Sequence, residues 1–464
     1  EGFPYMVENE KKVKAHYGEQ SDDYLIALSY VSLAAAELGN YKAASRYYKV
    51  AYRTINKLEG DSKGEMQSTF DLNYSDYMLK LGKYADAKTH AQRAFTFYRT
   101  NEKKYFDDLL FSMNFLGILF LSEGEYDKAE AILKQTLKLQ LDNNGLENEM
   151  GTKIASNLTS LYIQTGRYSR AYQFLDFVLA NDLQINGSNS LEYSFSLQVA
   201  GVLYVSSGQY DKAIETLKKS YEIRKPLVGE KNRELLRLKQ SLGTAYFKAG
   251  KLTMAEQVLT EVLTDQKASL GIQNLDCALS QNDLAMVYYA KNDYRQAVKL
   301  FEQSYDIKKK VLGRYNQFTV TSLFNMACVN VQMGQVEKAF EYFKLSTDDY
   351  LYILDNYFPF LSEKERLEYY HTIKGQLSAY FSFLSRQLVD HPEYASLLYN
   401  THIRTKAILL SESVKLRNFL NNHQDEKVKQ IYVQWNAING EIAKLDQTKN
   451  EGDKKVYLDS LKIV

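Results

Sequence analysis

Apolar and polar positions along this chain follow the period of helices, and the helices recur as pairs. Each pair opens with a stretch that carries one small residue, usually a large one three positions later, and then a tight turn of the form Gly-x-Tyr or a close variant. The second stretch follows at once, with Ala three past the turn aromatic and, in most copies, a large apolar residue seven past it. The turn aromatic or its substitute falls at Tyr41, Tyr84, Tyr126, Tyr168, Tyr210, Leu252, Tyr294 and Val336, spacings of 43 once and 42 six times. A fixed period of this kind decides the architecture: each pair is one supersecondary unit that buries its apolar face only by stacking on the next.

Nine positions before the turn aromatic stand Ser32, Ser75, Gly117, Thr159, Gly201, Gly243, Ala285 and Ala327. A small side chain there lets the second helix of the pair approach closely. Three residues nearer the turn Met78, Phe120, Tyr162, Tyr204, Tyr246 and Tyr288 fill the groove beside it, while Ala35 and Asn330 mark less regular copies near the ends. Glycine at the turn suits a helix C-terminus, where the left-handed conformation costs it little. The Ala of the second helix predicts a contact too close for a larger residue. Proline is scarce, at Pro4, Pro226, Pro359 and Pro392 only, as a mostly helical chain requires.

These features resemble the tetratricopeptide repeat: small residue, large aromatic, Gly-x-Tyr turn, Ala, then Leu or Phe. A 42-residue unit, with Val228-Gly229, Leu270-Gly271 and Leu312-Gly313 after the second helices, is similar to the longer variant of kinesin light chains. The resemblance covers residues 21–346 and implies an all-α, right-handed superhelical solenoid of about eight helix pairs. Residues 1–20 resemble the tail of a preceding repeat helix, so upstream repeats are expected to have been removed.

Residues 347–464 break the period and read as a helical linker or cap, with helices expected at Asp348–Tyr357, Ser362–Asp390, His391–Asn421 and Asp425–Leu445. Ser362 with Glu365 makes a capping box. This opening, the segment Thr405–Ser413 and the single Trp435 resemble the region between tetratricopeptide repeats and a CHAT domain in bacterial proteins. CHAT domains belong to the caspase–separase clan of cysteine peptidases. That resemblance implies a catalytic domain beginning soon after Val464 and makes this chain its regulatory part. The alternatives are a stand-alone adaptor of the kinesin-light-chain kind, or a receptor for an oligopeptide signal.

Charge adds little, with 58 basic and 57 acidic residues giving a net +1 and no electrostatic hold on nucleic acid. No apolar run is long enough to span a membrane. Two cysteines, Cys277 and Cys328, form no disulfide framework, which agrees with a cytoplasmic setting, although a chain that begins with Glu leaves a removed leader open. Both cysteines read as small helix-packing residues, and neither has a His partner in its segment. The six His are scattered without metal-ligand spacing, so no cofactor, metal or catalytic group is expected in this chain.

What remains is the concave face of the solenoid, which the resemblance assigns to the first helix of each pair. Asn recurs there 11 or 12 positions before the turn aromatic, as Asn73, Asn114, Asn157, Asn282 and Asn325, with Ser241 and Asp283 at matching positions. Asn inside a helix is mildly unfavourable, so its recurrence implies a use. A carboxamide donates and accepts at once and can pair with a peptide backbone of any sequence. It can equally bond the next repeat and hold register, and both readings stand. Around the Asn row lie Lys153, Arg237 and Lys248, interleaved with Phe195, Phe247, Met286, Tyr289 and Phe324. This mixed groove suits a protein or peptide segment with hydrophobic anchors and some acidic residues, although each aromatic could equally be core of the adjacent repeat.

Overall fold

The computed structural model describes residues 2–407 except 39, 59, 60, 359, 360 and 362. The expected helices Asp425–Leu445 and the end of His391–Asn421, together with Trp435, lie outside the described residues. After α1 (Gly2–Tyr17), eight helix pairs follow. They are α2 (Asp22–Glu37) with α3 (Tyr41–Ile55), α4 (Asp61–Lys80) with α5 (Tyr84–Thr100), α6 (Phe106–Glu123) with α7 (Tyr126–Asn144), and α8 (Glu149–Gln164) with α9 (Tyr168–Asn186). The later four are α10 (Leu191–Ser206) with α11 (Tyr210–Val228), α12 (Arg233–Lys248) with α13 (Leu252–Leu270), α14 (Leu275–Ala290) with α15 (Tyr294–Leu312), and α16 (Gln317–Gln332) with α17 (Val336–Tyr357). α18 (Glu363–Arg386) and a helical stretch over 394–407 complete the described chain.

Turn chemistry sets the pairs. In every copy the backbone N–H just before the turn aromatic reaches five residues back, as in Gln209 N to Tyr204 O at 2.8 Å and Lys251 N to Tyr246 O at 2.9 Å. This is the Schellman closure, and it needs a left-handed residue one position earlier. Gly124 supplies it at φ 79, whereas the seventh turn uses Asn292 at φ 63, one of the few side chains tolerant of that region. From the fourth pair on, the first helices begin on a side-chain cap: Asn148, Ser190, Asn232, Asn274 and Asn316 each accept from a backbone N–H of the first turn.

The small positions pack as expected. A Cβ on Gly117 would sit 2.5 Å from Leu133 Cδ2, and one on Gly243 would sit 2.7 Å from Leu259 Cδ2. All eight Ala of the second helices, Ala44 through Ala339, are fully buried. The first helices α2–α4, α6–α8, α8–α10, α10–α12 and α12–α14 also approach one another, whereas no two successive second helices come as close. First helices therefore line the inside of the superhelix and second helices the outside.

Two features depart from expectation. α17 does not stop at residue 346 but runs unbroken to Tyr357, because Tyr350, Leu351, Leu354 and Tyr357 continue its buried face. The helix expected over 362–390 ends at Arg386, and a turn at 387–393 leads into 394–407. There Tyr394 stacks on Phe340 of α17 with centroids 4.4 Å apart, so the last two helical segments extend the stack of pairs.

A further regularity concerns the buried polar positions. The fifteenth residue of successive second helices is Tyr98, Gln140, Asp182, Arg224, Gln266, Lys308 and Tyr350, and every one of them is buried. Lys308 and Asp182 meet a partner on the next first helix, Lys308 Nζ donating to Ser322 Oγ at 3.0 Å and Ser196 Oγ donating to Asp182, whereas Arg224 Nε donates to Ser194 Oγ of its own pair at 3.0 Å. Each junction thus carries its own polar chemistry.

Candidate functional site

The concave face is built from the first helices, and its floor is a row of carboxamides. Asn157 Nδ2 donates to Asn114 Oδ1 at 2.8 Å, Asn325 Nδ2 to Asn282 Oδ1 at 3.2 Å, and Asn73 Nδ2 to Ser29 Oγ at 2.8 Å. Between these rungs Gln240 Nε2 donates to Asp283 Oδ2 at 2.9 Å, joined by Thr244 Oγ1 at 3.0 Å. Gln198 Oε1 accepts from the guanidinium of Arg224 at 2.8 Å. The Asn residues therefore do bond repeat to repeat and hold register. Each bond uses one donor and one acceptor, while a carboxamide offers two N–H donors and two acceptor sites, so the ladder keeps capacity toward the hollow. Sequence reasoning that counted Asn alone missed Gln198 and Gln240, which stand 12 positions before their turn residues and continue the same row.

The apolar candidates divide. Met286 and Tyr289 are half-buried against the core of the last repeats, and Phe247 packs on the main core. Phe324 meets Phe343 edge-on with centroids 5.8 Å apart, which makes it chiefly a core residue of its own repeat. Phe195 stays exposed, with the Arg224 guanidinium 3.8 Å beneath its ring. Phe111, at the matching position two repeats earlier and absent from the sequence candidates, is 43% exposed. The hollow also presents half-buried Ile118, Val199 and Val202 along its length.

Two of the three cations have carboxylate neighbours. Lys153 lies 3.4 Å from Glu149, and Arg237 lies 3.6 Å from both Glu234 and Asp276. Lys248 is exposed, its ammonium 5.7 Å from the Phe247 ring. These neighbours lower the net positive charge of the groove and so weaken the electrostatic reason to expect acidic residues in a ligand. Asp283 is the half-buried carboxylate of the floor, and burial raises its carboxyl above the usual range, offset in part by the hydrogen bonds from Gln240 and Thr244. Among the described residues no group of His, Cys, Asp or Glu could hold a metal ion, and no helix is long and apolar enough to cross a membrane.

Arg237 also marks the second element of the site: burial pushes the hydroxyl of Tyr84, at the second helix–helix turn, up to about 12, and the charge of Arg237 offsets this in part. The superhelix meets itself here. Asn316 Nδ2 donates to Ser122 O at 3.2 Å across 194 residues, and Tyr126 Oη to Gln317 Oε1 at 2.8 Å across 191. Arg167, fully buried, donates to Glu365 at 2.9 Å across 198 residues and to Tyr357 Oη at 3.3 Å across 190. Arg167 also pairs with Glu130 at 2.7 Å, and Arg170 with Glu365 at 3.0 Å. In sequence Arg167 is only the middle residue of a turn. What buries it is a segment that the 42-residue period does not reach.

Comparison with known proteins agrees with this architecture. A family model described as Tetratricopeptide repeat matches residues 152–225 and 234–310, and a second of the same description matches 112–147. No curated protein matches the chain. Among solved structures, a Rap protein complexed with Competence and Sporulation Factor aligns with TM-score 0.55 at 11% identity, covering 84% of this chain and 100% of that one. NprR in complex with its cognate peptide NprX aligns at 0.49 and 17% identity, covering 77% and 99%. A putative kinesin light chain repeat protein from Podosopora anserina aligns at 0.35 and 24% identity, covering 42% and 92%.

Proposed function

This chain is a tetratricopeptide-repeat protein, and from that premise we propose that it binds an extended protein or peptide segment along its concave face. The amide ladder carries the reading. A row of buried and half-buried carboxamides, with spare donors and acceptors at Asn73, Asn157, Gln240 and Asn282, matches the repeating N–H and C=O groups of an extended backbone, and Val202, Met286 and Tyr289 beside it take apolar side chains. With Lys153 and Arg237 already paired, the favoured segment is uncharged and apolar. The Rap protein, which shares the fold, is solved as a complex with Competence and Sporulation Factor. That is a property of Rap, and for this chain the reading rests on the groove.

The chain acts by binding rather than by catalysis. Burial pushes the Cys277 thiol up to about 11 and the Cys328 thiol up to about 12, which leaves little thiolate at neutral pH. The finer reading is that this scaffold is the regulatory arm of a longer CHAT-type peptidase. It is supported by the sequence from Leu361 to Ser413 and by helices after residue 357 that extend the stack.

The test is a selection of random linear peptides on the wild-type chain, followed by titration of the selected peptides into Val202→Arg, which places a cation on the floor of the hollow. The expected result is binding to the wild type that drops by at least about tenfold, ~1.4 kcal/mol, in the variant. Equal binding to both chains would remove the groove as the site.

A further inference from the structure

The contacts that join residues 82–167 to residues 311–372 form one continuous seam. Turns of early repeats sit against segments between about four and a half and five and a half repeats later, at separations from 190 residues for Arg167–Tyr357 to 229 for Gly82–Val311. The seam is close-packed. A Cβ on Gly82 would lie 3.5 Å from Val311 Cγ1, and one on Gly166 would lie 2.5 Å from Thr372 Cγ2 and 2.9 Å from Glu368 O. Tyr126 packs against Tyr357 and Tyr369 with centroids 5.4 and 6.1 Å apart. Nearer the N-terminus burial raises the hydroxyls of Tyr41 and Tyr84, with the charges of Arg233 and Asp276 as secondary influences. Successive turns of the superhelix therefore share a wall.

That wall changes the geometry of the groove. An open solenoid offers its concave face from the side, so a folded partner can lay a surface loop into it. Here the side is shut along the overlap, yet Asn157, Gln198, Val202, Gln240 and Asp283 on the floor are only half-buried, so the interior is lined and not filled. Building on the peptide-binding reading above, we infer that the concave face is a bore entered from its ends, and that its ligand is a linear polypeptide with a free terminus rather than an internal loop of a folded protein. The chemistry of the lining sets the rest of the ligand class: extended, uncharged and apolar.

The test uses a peptide selected on the full chain from a free-ended library, in three forms. The first is the free peptide. The second is the same sequence grafted between the strands of a folded carrier. The third is that graft after cleavage at a protease site on one side, which restores a free end. In parallel, Gly82→Cys with Val311→Cys staples the seam, and mass spectrometry confirms the bond. The expected result is that the uncut graft binds at least about a hundredfold more weakly than the free peptide, that cutting it restores binding, and that the oxidised staple binds within about threefold of wild type. An uncut graft that binds as well as the free peptide overturns end-on entry while leaving the groove as the site. A stapled chain that binds only after reduction also overturns it, because the ligand then enters through an opened seam. Failure of the staple to form under oxidation would show that the two edges are not neighbours. Failure of the free-ended library to yield any binder would remove the peptide-binding reading itself.

Discussion

Lys308 is a cation in the wrong solvent, and replacing it should stabilise the protein. Its side chain is 2% exposed, and its ammonium makes one hydrogen bond, to Ser322 Oγ at 3.0 Å. Burial pushes the ammonium down from 10.5 to about 8, and the charge of Asp283 offsets this only in part. Because the folded value lies below the unfolded one, the unfolded chain binds the extra proton between these limits. The cost is then fully present below pH 8 and is relieved as pH rises from 8 to 10.5. A difference of 2.5 between the two values corresponds to about 3 kcal/mol. Met has a similar length and no charge, and the hydroxyl of Ser322 keeps its bond to Phe318 O at 3.2 Å, so little is lost in exchange. Lys308→Met is therefore expected to gain about 2–3 kcal/mol at pH 7 and to converge on the wild type near pH 10.5. Urea unfolding followed by far-UV circular dichroism at both pH values measures this. Buried tyrosines such as Tyr126 and Tyr350, raised by burial, lose stability above pH 10 in both chains and cancel in the difference. A variant no more stable than wild type at pH 7 would refute the reasoning, because the buried charge would then have found compensation elsewhere.

Other outcomes follow from the same geometry. Gly243→Leu forces a side chain into Leu259, and overpacking of this kind should cost about 1–3 kcal/mol in the same urea titration. Asn157→Leu removes the donor to Asn114 Oδ1 and should cost about 1 kcal/mol, with faster amide hydrogen exchange in α6 and α8. Arg167→Leu leaves Glu130 and Glu365 without their buried partner and should cost about 3–5 kcal/mol at the seam, read as a larger radius of gyration in X-ray scattering. Burial pushes the Glu130 carboxyl up, but Arg167 and Lys134 outweigh it and hold the carboxyl below its usual value. Its stabilisation is therefore complete above about pH 4.5 and lost as pH falls through the lowered value, so acid titration should expand the wild type and change Arg167→Leu much less.

The repeat was legible in the sequence because its constraints are local. A left-handed turn, a small residue opposite a Leu and an Ala at a close helix contact each leave their mark at a fixed offset, and all of them appear where the period places them. The Asn row was legible as a pattern but ambiguous in use, since a carboxamide serves register and ligand equally; the observed Asn157–Asn114 and Asn325–Asn282 bonds show the first use. Reading the row as Asn alone hid Gln240, which reaches Asp283 of the next repeat with one more methylene, and Gln198, which bonds Arg224 within its own pair. The cations were visible, but their partners only in part. Glu149 follows from helical spacing, whereas Asp276 meets Arg237 only after the chain has folded around it. The seam left no trace in the sequence. Arg167, Tyr126 and Gly82 hold ordinary turn positions, and their partners lie between about four and a half and five and a half repeats away, at a distance set by the superhelical pitch and not by the 42-residue period.

The most direct measurement of the central claim is site-specific photocrosslinking of a selected peptide. A benzophenone side chain is placed in turn at Val202 on the floor of the hollow and at Lys212 on the second helix of the same repeat. Crosslinking from Val202 alone, abolished by excess unlabelled peptide, is the result expected of a ligand lying along the amide ladder. Crosslinking from Lys212 with none from Val202 would place the ligand on the outside of the solenoid and contradict the account.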